Sequence, residues 1–352
     1  MLFDRLLNRF STDIGLDLGT GSTLMSLKNK GIVINEPSVV AVNSRTEQIV
    51  SIGREASKML GKTPPYITAV RPLDHGVISD FEITEKMLKY FLDKIYQESF
   101  SVFPRPRVVV GVPLDITPVE KKAVEDAVLS AGAKSVLLVQ NVVAAAVGAG
   151  LNIQDPAGNM IISLGAGLTE IAVLSLSGVV TYKSIPIAGD MLNTDIVQYV
   201  REKYSLLIGD KMAESAKQKI TNLFDNNEIL SMDVQGRDLV TGLPKQVHLT
   251  SHNMKEALAI SLKKIIAEIK NTLEATPPEL IADIYERGIV LSGGGALMKG
   301  IDKLISDNIQ IPVTITDDPL TCTIRGISLL LENDNLLQEV KIPTSKDESL
   351  LP

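Results

Sequence analysis

Three short turns in this chain carry residue types suited to gripping a phosphate. The first is Gly19-Thr20-Gly21-Ser22, with Asp17 just ahead of it. Glycines let backbone N–H groups approach an anion, hydroxyls add donors, and a nearby carboxylate can hold a metal ion through water. The second is Gly165-Ala166-Gly167 followed by Thr169, and the third is Gly293-Gly294-Gly295. None fits the Gly-x-x-x-x-Gly-Lys-Ser/Thr loop, or a Gly-x-Gly-x-x-Gly segment opening a helix after the first strand. A P-loop enzyme and a Rossmann dehydrogenase are therefore not indicated. Taken singly, each turn also reads as a plain hairpin.

Strands must flank these turns if they are to hold a ligand. "DIGLDLG" and "TLMSLKN" read as the arms of a hairpin around Gly19–Ser22, followed by short strands in "GIVINEPSVVAVNS" and "QIVSIG". Met87, Leu88, Phe91, Leu92 and Ile95 keep a helical period. The apolar run "RVVVGVP" predicts a buried parallel strand. A helix follows, with Thr117 as N-cap, Pro118 at its first position, Glu120 closing a capping box and Gly132 near its end. "SVLLVQ" is the next strand. The second half repeats the plan: Gly158–Gly178 is another strand, turn and strand, and "RGIVLSGGGALMKG" is a buried strand ending in glycines. A more polar insert runs roughly from Gly189 to Gln246, and a long apolar-faced helix after it is stopped at Pro277 and Pro278. Two similar α/β halves without a Pro-, Gly- or Ser-rich linker suggest a duplicated fold whose hinged lobes enclose a cleft.

The whole-chain composition narrows the function classes. At 352 residues, 45% hydrophobic, the chain can bury large cores and divides into about two domains. Its 35 Lys and Arg against 42 Asp and Glu give a net charge of −7, which argues against a nucleic-acid binder, whose phosphate contacts need a basic surface. The single cysteine, Cys322, rules out an internal disulfide framework and reads as a core residue in a reducing cytosol. His75, His248 and His252 form no metal-ligand pattern; His248 and His252 read as solvated. The longest apolar run, Val142–Leu151, falls well short of the ~20 residues that span a bilayer. At the N-terminus, Leu2, Phe3, Leu6, Leu7 and Phe10 share one helical face opposite Arg5 and Arg9. Periodicity alone fits equally a helix lying on a membrane and one docked on its own protein.

Together the turns and their surroundings resemble the MreB family of bacterial actins. The matching segments are "DIGLDLGTGSTLMSLKNKGIVINEPSVVAV", "VISDFEITEKMLKYF", "RVVVGVP", "AAAVGAGL", "TEIAVLSLSGVV", "LLIGDKMAESAK", "ATPPEL" and "GIVLSGGGALMKGID". They cover nearly the whole chain, in order. The resemblance implies an α/β actin-like ATPase fold, with duplicated ribonuclease-H-like lobes closing on Mg-ATP in a nucleotide cleft. On that plan 1–11 is the amphipathic helix and 12–145 with 318–340 is lobe I, its small subdomain at about 33–75. Residues 146–317 form lobe II, with a small subdomain at about 189–246, and 341–352 form a polar, flexible tail.

It further implies ATP or ADP and Mg2+ as ligands, and polymerisation into filaments that organise wall synthesis and cell shape. These filaments would lie in the cytoplasm on the inner face of the plasma membrane. The implied partners are the chain itself, a paralogue, membrane lipid and the elongation proteins MreC, MreD and RodZ, with no nucleic acid. Thr20, Gly21 and Ser22 match the first phosphate loop, behind Asp17 on the metal side through water. Gly165 and Gly167 match the second loop, with Ala166 between them. Glu214 and Lys217 match an E-x-x-K pair on the insert helix that contacts ribose and adenine, and Gly293, Gly294, Gly295 and Ala296 match the adenosine loop. The family binds membrane through an amphipathic N-terminal helix or a hydrophobic loop before the "PRVVVGVP" strand. Here the resemblance assigns Leu2, Phe3, Leu6, Leu7 and Phe10 to the first, and Phe100, Val102 and Phe103 to the second. Core packing beside Pro104 is the other reading of Phe103.

The chain departs from the family at the chemistry. Family members carry "DEPMAAAIGAG" where this chain has "QNVVAAAVGAG", so Asn141 replaces the glutamate expected to orient or deprotonate the attacking water. Losing a positioned base costs about 10²- to 10⁴-fold in rate, or ~3–5 kcal/mol of barrier. Ser163 replaces a carboxylate on the metal and water side, Ala166 brings a methyl toward the phosphate, and Leu168 replaces a hydroxyl with hydrocarbon. The expectation is impaired hydrolysis at positions 141 and 163. The alternatives are that Asp190 or Glu170 covers the missing role, and that the chain is an active ATPase or phosphotransferase of the actin and sugar-kinase superfamily.

Overall fold

The computed structural model describes residues 13–98, 106–224 and 228–344. The chain divides into two compact units. The first runs to Asp155, adds Leu176–Gly178 and resumes at Thr321; the second comprises Pro156–Ser175 and Val179–Leu320.

The first unit opens with an antiparallel meander, β1 (Ile14–Leu18), β2 (Ser22–Leu27) and β3 (Gly31–Pro37). A small three-stranded sheet follows, made of β4 (Val40–Asn43), β5 (Ile49–Ile52) and β6 (Ile67–Val70), with helix α1 (Arg54–Met59) packed on it. A two-stranded hairpin, β7 (Leu73–Asp74) and β8 (Val77–Ile78), leads to α2 (Phe81–Glu98). Strand β9 (Arg107–Val112), helix α3 (Pro118–Ser130), strand β10 (Ser135–Gln140) and helix α4 (Asn141–Gly148) complete the first pass. Helix α3 starts as its sequence predicts. The Thr117 side chain accepts from Glu120 N–H, and the Thr117 N–H donates to the Glu120 carboxylate at 2.9 Å.

The second unit repeats the meander as β11 (Asn159–Leu164), β12 (Thr169–Ser175) and β13 (Gly178–Ile185). The insert then supplies α5 (Gly189–Tyr204), β14 (Leu206–Leu207), α6 (Asp210–Ile220), β15 (Ser231–Asp238) and β16 (Pro244–Thr250), the three strands forming their own sheet. Helix α7 (Ser251–Glu274) presents Leu258, Leu262, Ile265 and Ile269 to the core. It ends before Pro277, as expected, but Pro278 then occupies the first turn of a further helix, α8 (Pro278–Arg287). Strand β17 (Ile289–Ser292), a 3-10 turn at Gly294–Leu297, helix α9 (Ile301–Ile309) and strand β18 (Val313–Ile315) finish the unit. The chain returns to the first unit as α10 (Cys322–Glu332), α11 (Asp334–Val340) and β19 (Lys341–Ile342).

The two main sheets share a plan. The first has the order β19-β10-β9-β1-β2-β3, the second β13-β12-β11-β17-β18. In each, the meander's first strand runs parallel to a buried strand from later in the chain: β1 beside β9, and β11 beside β17. Buried on one side of the first sheet are Ile14, Leu16, Val108 and Val110 with Met87, Phe91 and Val124. Its other side receives α4 and α10, which cross almost backbone to backbone. A Cβ at Gly148 would overlap the Cys322 carbonyl, and one at Gly326 would overlap the Ala144 carbonyl. Cys322 is buried there, its Sγ donating to the Ala145 carbonyl, a core residue as its neighbours predict.

Candidate functional site

In the first unit, β1 runs into Gly19–Ser22. Gly19 N–H donates to the Ser22 carbonyl at 3.1 Å, and a Cβ on Gly19 would sit 2.9 Å from that oxygen, so the turn needs glycine. Ser38 occupies its carbonyl side: Ser38 Oγ donates to Gly19 O at 2.6 Å and Ser38 N–H to Gly21 O at 3.2 Å. The Thr23 hydroxyl, 2.9 Å away, then donates to Ser38. With those carbonyls engaged, a ligand meeting the turn finds N–H groups and the Ser22 side chain, a concavity suited to an anion. Thr20 is buried, and its Oγ1 accepts from Gly76 N–H at 2.8 Å, tying the β7–β8 hairpin to the turn.

Asp17 lies in register with Gly111 on the neighbouring parallel strand β9. Both side-chain directions leave the face opposite Leu16 and Leu18. Asn141, the first residue of α4, lays its Oδ1 over Gly111, where a Cβ would overlap it. That oxygen is buried and has no hydrogen-bond partner among the described residues. Asp17 and Asn141 therefore flank Gly111 at the ends of three parallel strands. Burial pushes the Asp17 carboxyl up to about 7.

The second unit builds the same turn. Gly165 N–H donates to the Leu168 carbonyl at 2.9 Å, and a Cβ on Gly165 would sit 2.8 Å from that oxygen. Here the first amides of α5 take the carbonyls: Gly189 N–H donates to Gly165 O at 3.1 Å and Asp190 N–H to Ala166 O at 2.8 Å. Ser163 pairs with Ser292 of β17, as Asp17 pairs with Gly111. Thr169 does not offer its hydroxyl on the turn, as its position suggested. It is fully buried on β12 and donates to the Ile187 carbonyl at 2.6 Å.

The insert helix α6 reaches the same turn. Lys217 is buried, donates to Gly189 O at 2.7 Å and pairs with Glu214 at 2.9 Å. Its ammonium thus anchors the start of α5 beside the second turn. Glu214 is partly exposed and also accepts from Asn193 at 2.7 Å and Gln218 at 2.8 Å. Burial pushes its carboxyl up, but Lys217, Asn193 and Gln218 outweigh this and hold it below the usual carboxylate range.

The third turn packs on the second unit's own sheet. Gly293 has φ 81° and its N–H donates to Pro319 O at 3.0 Å, while a Cβ on Gly293 or Gly295 would run into Leu164. Gly294 faces Leu320, which is exposed. Ala296 is fully buried, its methyl in the core of the second unit. His248 is exposed and bonded to Asp233 at 2.8 Å, as a solvated histidine should be. The membrane-face residues Leu2, Phe3, Leu6, Leu7, Phe10, Phe100, Val102 and Phe103 lie outside the described residues. Sequence reasoning missed Ser38, Gly111, Gly189 and Asn193, since nothing in their local sequence tells which turn or side chain they meet.

Two halves of this design, each a three-stranded meander joined to parallel strands with a glycine turn after the first strand, make an actin-like fold. The chain belongs to the MreB/Mbl protein family, whose model matches residues 11–339. It is 46% identical to the cell shape-determining protein Mbl of Bacillus cereus over 324 residues, 92% of this chain and 97% of that protein. The crystal structure of MreB5 of Spiroplasma citri bound to ADP superposes with a TM-score of 0.88 at 35% identity, covering 94% of this chain and 98% of that one. The MamK double helical filament shares the fold, with a TM-score of 0.76 at 22% identity over 92% and 99% of the two chains.

Proposed function

We propose that this protein is a nucleotide-binding bacterial actin that polymerises into membrane-associated filaments, takes part in cell-shape determination and wall synthesis, and hydrolyses ATP weakly or not at all. The observation that carries the nucleotide reading is the matched pair of turns whose carbonyls are engaged from behind. Gly19–Ser22 and Gly165–Gly167 hold phosphate oxygens through backbone N–H groups, Glu214 binds a sugar hydroxyl, and Gly293–Gly295 lie beside the base. The ADP-bound MreB5 supports this reading.

A magnesium ion fits the first unit. Among the described residues no cluster of three ligating side chains exists, so Asp17 would supply a lone carboxylate through water, and phosphate oxygens and water the rest. A cation beside Asp17 would draw its raised carboxyl back toward the ionised form. The ion would neutralise phosphate charge.

The weak-hydrolysis reading rests on this chain's own groups. Asn141 can orient a water through hydrogen bonds but has no basic site for its proton, and Ser163 is no base near pH 7. Asp190 and Glu170 match carboxylates of ordinary family members, which argues against either as a new replacement. Membrane contact rests on the sequence pattern at Leu2–Phe10 and Phe100–Phe103. No described helix is long and apolar enough to cross a membrane. The assembly partners would be further copies, a paralogue and elongation proteins such as MreC, MreD and RodZ.

Electron microscopy of the purified protein with ATP, with ADP and without nucleotide tests polymerisation; filaments in none of the three would refute it. Phosphate release tests hydrolysis: turnover that the Asn141→Glu/Ser163→Asp pair does not improve would defeat the weak-hydrolysis reading. Liposome co-sedimentation tests the surface: a Phe3→Ser/Leu6→Ser/Phe103→Ser protein that still pellets with lipid removes the membrane assignment.

A further inference from the structure

The second unit carries a groove that the nucleotide reading does not use. It is a cavity of about 680 Å³ between α7 and α9, lined also by Leu223 and Phe224. Ala259, Leu262 and Ile266 recur along one stripe of α7, and Leu304 of α9 faces them across the floor. Lys255, Lys263 and Lys270 line the α7 side, and Lys303 rises from α9. Lys255 is engaged with the Phe224 carbonyl at 2.7 Å. Lys263, Lys270 and Lys303 have no ion-pair or hydrogen-bond partner among the described residues. The one acidic side chain in the lining is Asp307. A four-lysine rim on a chain of net charge −7 is a local reversal of sign.

We propose that this groove docks an amphipathic helix of a partner protein, its apolar stripe on exposed Ala259 and Ala267 and half-buried Leu304, above the buried Leu262 and Ile266, and its acidic flanks against Lys263, Lys270 and Lys303. Three properties select that occupant. The lined stretch of α7 from Lys255 to Lys270 spans about 22 Å at helical rise, the length of a four-turn helix. The apolar positions recur at helical spacing, the pattern of helix-in-groove recognition. Free ammonium groups on both walls complement carboxylates on both flanks of one helix and repel a basic one. The proposal is independent of nucleotide binding, because none of the groove residues belongs to the three turns.

The test uses the full chain and a synthetic helical peptide of about four turns, with leucines at helical spacing and glutamates on both flanks. Fluorescence anisotropy should show saturable binding that weakens as NaCl rises from about 50 to 300 mM. Lys263→Glu/Lys270→Glu/Lys303→Glu should weaken it at least about tenfold. Ala259→Glu, on an exposed position of the floor, should do the same without a change of sign on the rim. Circular dichroism melts establish that both variants fold. A peptide with the same composition but scrambled spacing, and one with lysine for glutamate, should not bind. Equal binding of the scrambled peptide, or undiminished binding by either variant, would overturn the proposal. So would lysine-dependent binding to phosphatidylglycerol vesicles with none to the peptide, which would make the groove a lipid surface.

Discussion

After β1 and after β11 the chain turns in the same way. The first glycine's N–H bonds the carbonyl three residues on, and its missing Cβ leaves room for that oxygen. What differs is the side chains: Asp17, Thr20 and Ser22 of the first turn stand where the second has Ser163, Ala166 and Leu168. A carboxylate and two hydroxyl positions have become a hydroxyl, a methyl and an isobutyl group. The means of engaging the carbonyls differ too, with Ser38 behind the first turn and the start of α5 behind the second. A backbone cradle can therefore persist while its side-chain chemistry is stripped from one copy. Anion contact through N–H groups is expected of both turns, and side-chain chemistry mainly of the first.

The largest effect should come from making the first turn as bare as the second. Asp17→Ser/Thr20→Ala/Ser22→Leu should lower affinity for a fluorescent ATP analogue by about 100-fold, close to 3 kcal/mol. An unchanged Kd would mean the second turn alone holds the phosphates. The converse, Asn141→Glu with Ser163→Asp, should raise phosphate release by about 10- to 100-fold, toward the worth of a positioned base.

Asp17 also separates the turns by pH. Its folded carboxyl titrates near 7 against an ordinary 3.8, so the folded state holds a proton the unfolded chain has released. Stability from this group is present below about pH 4 and lost as pH rises toward 7. In nucleotide-free protein, Asp17→Asn should melt above the parent at pH 8, with the gap closing toward pH 4. Ser163→Asn should show no such pH dependence. The smallest effect should come from Thr169→Val, which leaves the Ile187 carbonyl without its donor. It should lower stability by about 1–3 kcal/mol in urea titrations while leaving nucleotide affinity nearly unchanged. A large affinity loss would return Thr169 to the ligand side.

The hairpins, the Thr117 to Glu120 capping box and the strand at Ser135–Gln140 were legible because each is a local pattern: apolar runs, turn residues and a cap at fixed offsets. Where the sequence misled, the deciding contact was remote. Pro277-Pro278 stops one helix and starts another, and only tertiary packing rewards the second start. Thr169 neighbours the turn glycines, yet hairpin register turns it inward. Lys217 was legible as part of an E-x-x-K pair, whereas its bond to Gly189 O, 28 positions away, emerged only from the packing. Asn141 and Ser163 were visible as residue types, whereas the seat of Asn141 over Gly111 emerged only from the packing.

The crossing of α4 and α10 bears on how such a site can change over time. Because glycines at 148 and 326 bring the two backbones together, the helix that begins at residue 141 has no room to slide or tilt on its neighbour. Mutation can exchange the end group presented at that point but cannot relocate it. Absence and presence of a base there are then alternative states of one fixed socket, interchangeable without rebuilding the fold around it.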